Sequence, residues 1–556
     1  MKTKTAVLAL AALFGAGASA CSDLKEVPIT GVTGQYFQTV DGANAAVTGA
    51  YGRLRDVYGR QNEVTMMQVG TDSWEKGGEI GAEAPFNDYT SVLAPNMSVT
   101  TNRDYFQALY AAVNAANTAI AAVDAAPLSA ADKPVRSGEA RFLRALYYHD
   151  LVRLYGDVEL RLEPSEGVVI AATRTPKAEI YSTGIVPDLE YAVANLPAAQ
   201  SQYGRATKGA AQMLLAEVLL TRGESGDFDR AVQLTSDVIN SGTYALNADF
   251  RSIFCGPDRT APTGVVISAC DFVPANETNR EFIYSVQFSG DGVNDQYGNW
   301  LHLMYTAAYD IQGAPNLPRT LEYGRPYRRL RPTLHLLRLW NRTTDSRYDA
   351  TFQNLWTSAT GTRDTALFMP GTPTVAAQYQ GKRYRAFGEN DYTPVIFPTL
   401  RKWLDQTRTD AQSIVGGRDR HLFRLADAYL LRAEANIRAG RAASAVADFN
   451  VLRRRAARAG QNNELTAADL ASLTADPVAF LLDERERELA GEESRWFTLT
   501  RLTNVGGKNY FLTRIQAYNS AAAGNVKAFH ALRPIPQEQI DRTEGGSASF
   551  AQNPGY

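Results

Sequence analysis

Glu484 and Glu488 stand four residues apart in the segment DERERELAGEESRW, a spacing that puts two carboxylates on one face of a helix. Such a pair could divide general-acid and general-base work. The same segment interleaves them with arginines, and Arg485–Glu488 and Glu492–Arg495 are i,i+3 neighbours. A salt-bridged or solvated helix face therefore accounts for the pattern without catalysis. The five histidines, His149, His302, His335, His421 and His530, are scattered with no HExxH spacing. The chain has no GxSxG, no phosphate-binding glycine loop and no Cys/His cluster. Asp427, Asn450 and Arg454 read as packing and hydrogen-bonding residues. The chain thus reads as a non-enzyme, with no catalytic residue, no metal ligand and no cofactor assigned. A hydrolase whose site assembles only in space is the catalytic alternative.

Composition narrows the classes further. The chain has 556 residues, 45% of them hydrophobic, enough for one large domain or two ordinary ones. A formal net charge of -2 argues against nucleic-acid steering, and 21% charged residues argue for a globular chain. The 27 tyrosines and six tryptophans serve either surface recognition or core packing. At the N-terminus Lys2 and Lys4 precede a short apolar run at 6–14, too short to span a bilayer, and then small residues and Cys21. This looks like a bacterial lipobox with Ala18 where leucine is commonest; residues 1–20 read as a lipoprotein signal peptide and Cys21 as the lipidated residue. Cleavage at Ala18-Ser19-Ala20 to release a soluble protein is the alternative. No later stretch is long and apolar enough for a transmembrane helix. Cys255 and Cys270 remain, and in an exported chain they form a possible disulfide worth roughly 3 kcal/mol, or two unpaired thiols.

The elements that would position any site are helix hairpins. Residues 204–246 show apolar stripes at Ala211, Leu214, Leu215, Val218 and Leu219, then at Ala231, Leu234, Val238 and Ile239. Thr207 is the expected N-cap, and Gly223 and Gly242 the expected stops. The repeat length is close to the 34-residue tetratricopeptide period, and one such unit needs stacked neighbours. Four hairpins are read, near 39–125, 135–196, 207–242 and 418–459. The first is expected from helices at 39–58 and 102–125, with an irregular excursion at 59–100 between them. A second irregular region, rich in aromatics and turn residues, occupies 243–417 and contains a strand-like run, EFIYSVQF. A helix is expected over 479–501, and the tail beyond it is read as extended.

These phrases together resemble one family. The segments EARFLRALYYHDLVRLYGDVEL, RTPKAEIYSTGIVPDLEYAVANLP, GRATKGAA, RLADAYLLRAEANIRAG, DERERELAGEESRWFTLTRL and the terminal PIPQEQIDR and QNPGY are similar, in order and spacing, to the RagB/SusD family over nearly the whole mature chain. The resemblance implies a mainly α, SusD-like fold: four tetratricopeptide-like hairpins packed against a loop-rich, ligand-binding region, in a single domain over 21–556. It implies an outer-membrane lipoprotein facing outward, a lid on a SusC-like TonB-dependent transporter that captures a glycan or another nutrient oligomer and has no catalytic chemistry. A peptide ligand, or a protein-interaction scaffold without its own ligand, are the alternatives.

If a sugar is bound, aromatic rings must cover its flat C–H faces while amides, carboxylates or arginines meet the hydroxyl rim. Two loop clusters carry that kit. One is GTDSWEKGGEIGAEAPFNDYT, with Asp72, Trp74, Asn87 and Tyr89; the other is GDGVNDQYGNWLHLMY, with Asn294, Asp295, Tyr297, Asn299, Trp300 and Tyr305. The expected ligand-binding residues are Asp72, Trp74, Asn87, Tyr89, Asn294, Tyr297, Trp300 and Tyr305, and local loop packing is the competing role for each aromatic.

Overall fold

In the computed structural model, the described residues are 34–556 except 98–99, 257–258, 261–265, 268–272, 290–297, 312–316, 354, 357–364 and 369–383. Four helix hairpins follow one another along the described chain. They pair Val40–Gly52 with Thr101–Ala125, Asp132–Tyr155 with Val186–Asn195, Lys208–Arg222 with Asp227–Asn240, and Leu425–Arg438 with Ala445–Arg455. Each packs on the next, and the third meets the fourth although more than a hundred residues separate them in sequence. The stripes read from sequence are the buried ones: Ala211, Leu214, Leu215, Val218, Ala231, Leu234 and Val238 lie in one continuous core. This is the expected mainly α architecture with its four hairpins.

Local chemistry sets the helix ends. Thr207 accepts the Ala210 N–H at 3.2 Å, and Gly223 ends that helix at φ 69°, a conformation glycine takes without strain. Three hairpins are also clasped by a forked arginine–aspartate pair. Arg144 donates from Nε and Nη2 to Asp188 at 2.7 and 2.9 Å. Arg222 holds Asp227 at 2.9 and 2.6 Å, and Arg432 holds Asp448 at 3.1 and 2.5 Å. The planar guanidinium fixes both distance and orientation between the paired helices.

Several expected elements are built differently. The helix expected over 39–58 breaks at Arg53 into Val40–Gly52 and Leu54–Val57. The helix before Asn195 begins with a π-helical turn, Ile180–Ile185, just ahead of Pro187, whose ring cannot complete the regular hydrogen-bond ladder. The fourth hairpin does not start at residue 418: Arg420–Arg424 is a strand, paired antiparallel with Phe282–Val286. The helix expected over 479–501 is divided into Pro477–Leu489 and Arg495–Thr500. Between them Gly491 sits at φ 74°, where an added Cβ would come within 2.2 Å of Leu400, and its carbonyl accepts the Trp403 indole N–H at 2.9 Å. The tail contains the helices Tyr510–Tyr518 and Gln537–Arg542.

The irregular regions are anchored by short strand pairs. Trp74–Lys76 pairs antiparallel with Leu330–Pro332, and Phe352–Gln353 with Thr399–Leu400. The excursion at 59–100 also holds a helix, Gln61–Met67, and buries Val64, Met66, Met67, Trp74 and Phe86 in the main core. A smaller apolar cluster, including Phe250, Phe254, Cys255 and Phe282, lies beside it. Cys255 is disulfide-bonded; Cys270 and Cys21 lie outside the described residues.

Candidate functional site

The two carboxylates with catalytic spacing are consumed by structure. Glu484 and Glu488 are completely buried. Arg347 donates to both at 3.1 Å and to Asp345 at 2.6 Å. Arg424 reaches Glu488, Glu281 and Glu492 at 2.7 to 2.8 Å, and Arg453 reaches Glu484 at 2.8 Å. Burial alone would raise the Glu488 carboxyl, but Arg455, Arg424 and Arg347 hold it down at about 2. A carboxylate locked in its charged form by surrounding arginines is a poor proton donor at neutral pH. The i,i+3 partners expected within this segment are replaced by others: Arg485 meets Asp427 at 3.0 Å and Glu493 at 2.5 Å, and Arg495 meets Asp72 at 2.8 Å.

The residues expected to meet ligand from the first loop cluster lie inside. Asp72 is fully buried and accepts from Arg495 and Arg514 at 2.8 Å. Burial opposes its charge, yet the two guanidiniums hold its carboxyl well below the usual range. Trp74 has 0% exposure and lies edge-on to Tyr305, with ring centroids 4.8 Å apart. Tyr305 is buried as well. Asn87 accepts the Lys76 N–H at 3.0 Å and an Asn519 amide N–H at 3.2 Å. Tyr89 donates to the Gly70 carbonyl at 2.7 Å and stacks on Trp496. A side chain without accessible surface cannot stack on or hydrogen-bond a bound ligand, so Asp72, Trp74, Asn87 and Tyr305 belong to the packing that supports the loops. Tyr89, nearly buried, contributes to the wall of a cavity of about 630 Å³ shared with Phe529, His530 and Tyr556. Trp300 is half-buried and its backbone N–H donates to the Gly59 carbonyl at 2.7 Å. Asn294, Asp295 and Tyr297 lie outside the described residues.

What these buried residues support is a surface of different residues. Beyond the Trp74–Lys76 strand, Gly77 N donates to the Arg329 carbonyl at 2.8 Å, Glu79 N to the Arg328 carbonyl at 3.1 Å and Gly78 N to the Pro394 carbonyl at 3.1 Å. Residues 77–80, 327–331 and 392–396 are thereby tied into one ridge. Gly77 is required there, since an added Cβ would approach the Arg328 carbonyl to 2.2 Å. Arg328 adopts φ 51°, a left-handed conformation that costs a non-glycine residue about 1–3 kcal/mol and concentrates at functional sites.

Two half-buried tyrosines sit on this ridge with their orientation fixed. The Arg329 guanidinium lies 4.5 Å from the Tyr327 ring centroid and donates to the Tyr327 hydroxyl at 2.6 Å. Arg331 lies 4.6 Å from the Tyr392 ring centroid, and the Tyr392 hydroxyl donates to the Pro332 carbonyl and to Glu75. Carboxylates answer the arginines: Glu79 meets Arg328, Glu83 meets Arg329 at 2.9 Å and Glu75 meets Arg331 at 3.2 Å. Rings, guanidiniums and an exposed carboxylate on a rigid ridge can meet both the flat faces and the hydroxyls of a polar ring-shaped ligand. The sequence reading passed over Glu79, Tyr327, Arg328 and Tyr392. The run RPYRRLRP at 325–332, a tyrosine among four arginines in an aromatic-rich region, was the available signal.

Residues 281–556 match the family model described as SusD family, and residues 51–220 match the one described as starch-binding associating with outer membrane. The chain is similar to a SusD-like protein P2 of Formosa agariphila, 26% identical over 96% of this chain and 97% of that protein. It is similar to the starch-binding protein SusD of Bacteroides thetaiotaomicron, 24% identical over 75% of this chain and 72% of that one. Among solved structures, a laminarin binding SusD-like protein superposes with a TM-score of 0.67 at 22% identity, covering 93% of this chain and 99% of the other.

Proposed function

The chain belongs to the SusD family, and from that premise we propose that it is a cell-surface lipoprotein that captures a nutrient oligomer, most readily a glycan, for import. The observation that carries the reading is the ridge of residues 77–80 and 327–331, where Tyr327 is held by Arg329 beside Arg328 and the exposed Glu79. Its mixture of ring surface and fixed hydrogen-bonding groups suits a saccharide. Two relatives point the same way: one is a starch-binding protein and one a laminarin-binding protein. Trp300, Asn294 and Tyr297 are retained as proposed ligand contacts, the last two lying outside the described residues.

In this reading Cys21 carries the lipid anchor and the chain faces outward on the bacterial outer membrane, an association that also supplies the name of one matching family model. Captured oligomer passes to a SusC-like TonB-dependent transporter. The chain itself binds and performs no bond-breaking step; its Glu484–Glu488 carboxylate pair is locked by arginines. Deleting the gene in its host tests the whole sequence of events. The reading expects growth on the oligomer to fail while growth on its monomer continues. Unchanged growth on every oligomer would contradict it.

A further inference from the structure

The ridge carries more positive charge than a site for neutral sugars needs. Residues 325–331 contain Arg325, Arg328, Arg329 and Arg331 and no acid. The balancing carboxylates come from the distant excursion: Glu79 for Arg328, Glu83 for Arg329 and Glu75 for Arg331. Arg325 has no hydrogen bond or ion pair among the described residues; its guanidinium stands 6.0 Å from the Tyr327 ring centroid. Its Nε is buried without a partner, as are those of Arg328 and Arg329.

The pairing of Arg328 is also the most solvent-exposed of the three, because Glu79 keeps 48% of its side chain exposed. An ion pair so open to water contributes little and exchanges readily. Arg328 meanwhile holds a left-handed backbone at φ 51°, which fixes where its side chain leaves the ridge. Cationic surroundings reach deeper as well: His302 is held well below its usual range first by burial, then by Arg408, with Arg325 adding to the effect.

We propose that Arg325 and Arg328, flanking Tyr327, make this site selective for oligosaccharides that carry anionic groups, carboxylate or sulfate, over neutral ones. The inference rests on the glycan-capture reading and narrows its ligand class. A carboxylate or sulfate offers several acceptor oxygens in the plane of a guanidinium fork, an arrangement that a hydroxyl cannot reproduce. The saccharide ring would lie against Tyr327 while its anionic substituent takes Arg325 and competes with Glu79 for Arg328.

The test is calorimetric titration of the chain from Ser22 onward with polygalacturonate, a carrageenan and amylose, at low and at high salt. The two acidic polymers separate carboxylate from sulfate as the recognised group. At low salt one of them is expected to bind about tenfold or more tighter than amylose, the range of a charge-assisted hydrogen bond, with the preference shrinking at high salt. Arg325→Gln should lower acidic binding about tenfold and any amylose binding by much less, while Arg325→Lys, which keeps the charge without the fork, should lose only part of the preference. Should Arg325→Gln fail to fold, the salt dependence of the unaltered chain and the Lys variant still decide. Amylose bound as tightly as both acidic polymers, or an acidic preference untouched by Arg325→Gln, would overturn the inference and leave the capture reading standing. Silence on all three, and on a wider panel of polysaccharides, would overturn the capture reading and this inference with it.

Discussion

Arg495 donates from both Nε and Nη2 to the two oxygens of Asp72, 423 residues earlier in the chain, at 2.8 Å each. Neither side chain has accessible surface. The pair fastens the excursion that bears the candidate ridge to the helix Arg495–Thr500, and Arg514 joins it at 2.8 Å. This buried carboxylate therefore adds a side-chain tie to the backbone bonds that hold residues 77–80.

Removing that carboxylate should be costly. Asp72→Ala removes the carboxylate that Arg495 and Arg514 share and leaves them to Glu486, Glu493 and Asp483; breaking a buried pair costs up to about 3–5 kcal/mol. Urea denaturation should show the midpoint displaced accordingly. A variant as stable as the parent would mean that Asp72 is not the tie between the two segments.

The two tryptophans of the loop clusters should separate cleanly. Trp74 is fully buried against Tyr305, so Trp74→Ala should cost about 3–5 kcal/mol of stability, as large-to-small changes of buried aromatics do. Trp300 is half-buried, so Trp300→Ala should lower stability by much less while weakening ligand binding. Melting temperatures and affinities measured on both variants check this, and the reverse order would reassign the two residues.

Stability should respond to pH through Asp419. Burial, then the neighbouring Glu277, push its carboxyl up to about 8. The native chain thus holds a proton that the unfolded chain has released above about pH 4. Between about pH 4 and 8 this group makes stability fall as pH rises, by up to about 1.4 kcal/mol per unit. Asp72 and Glu488 act in the opposite sense: their carboxyls are held low, and their contribution is lost as acid protonates them. Asp419→Asn can still accept the Phe288 N–H, which now lies 2.9 Å from Oδ1. Its stability relative to the parent should improve from about pH 5 to about pH 8, as read from urea midpoints. A difference independent of pH would contradict the assignment.

At the start of the third hairpin, Thr207→Ala removes the oxygen that accepts the Ala210 N–H. A lost N-cap costs about 1 kcal/mol, and the denaturation midpoint should move by that amount with the binding of ligand unchanged.

The hairpins were legible because their signal is local. Apolar residues three and four apart define a buried stripe whatever the neighbours are, and Thr207 and Gly223 mark the ends by their own backbone chemistry. The strand at Arg420–Arg424 was not legible, since its partner, Phe282–Val286, lies more than a hundred residues away and strand pairing is a non-local choice. The break at Gly491 was hidden for a similar reason: the crowding comes from Leu400. At the candidate site, residue type drew attention to the 59–100 excursion but not to residues 327–331 and 392–396, which join it in the ridge. Trp74 and Tyr305 have the types that meet sugars, and the same types fill cores; only the pairing of Trp74 with Pro332 reveals that the ring points inward. Tyr327 and Arg328 gained their significance from contacts with Arg329 and Glu79, which sequence spacing does not encode.

The central claim, capture of a glycan on the ridge around Tyr327, is tested most directly by affinity electrophoresis of the chain from Ser22 onward against a panel of polysaccharides and oligopeptides, run beside Tyr327→Ala. The account predicts that at least one polysaccharide retards the parent chain and that Tyr327→Ala abolishes the retardation while its melting temperature stays close to the parent's. Retardation unaffected by Tyr327→Ala would place the ligand elsewhere. A chain that responds only to oligopeptides would contradict glycan capture itself.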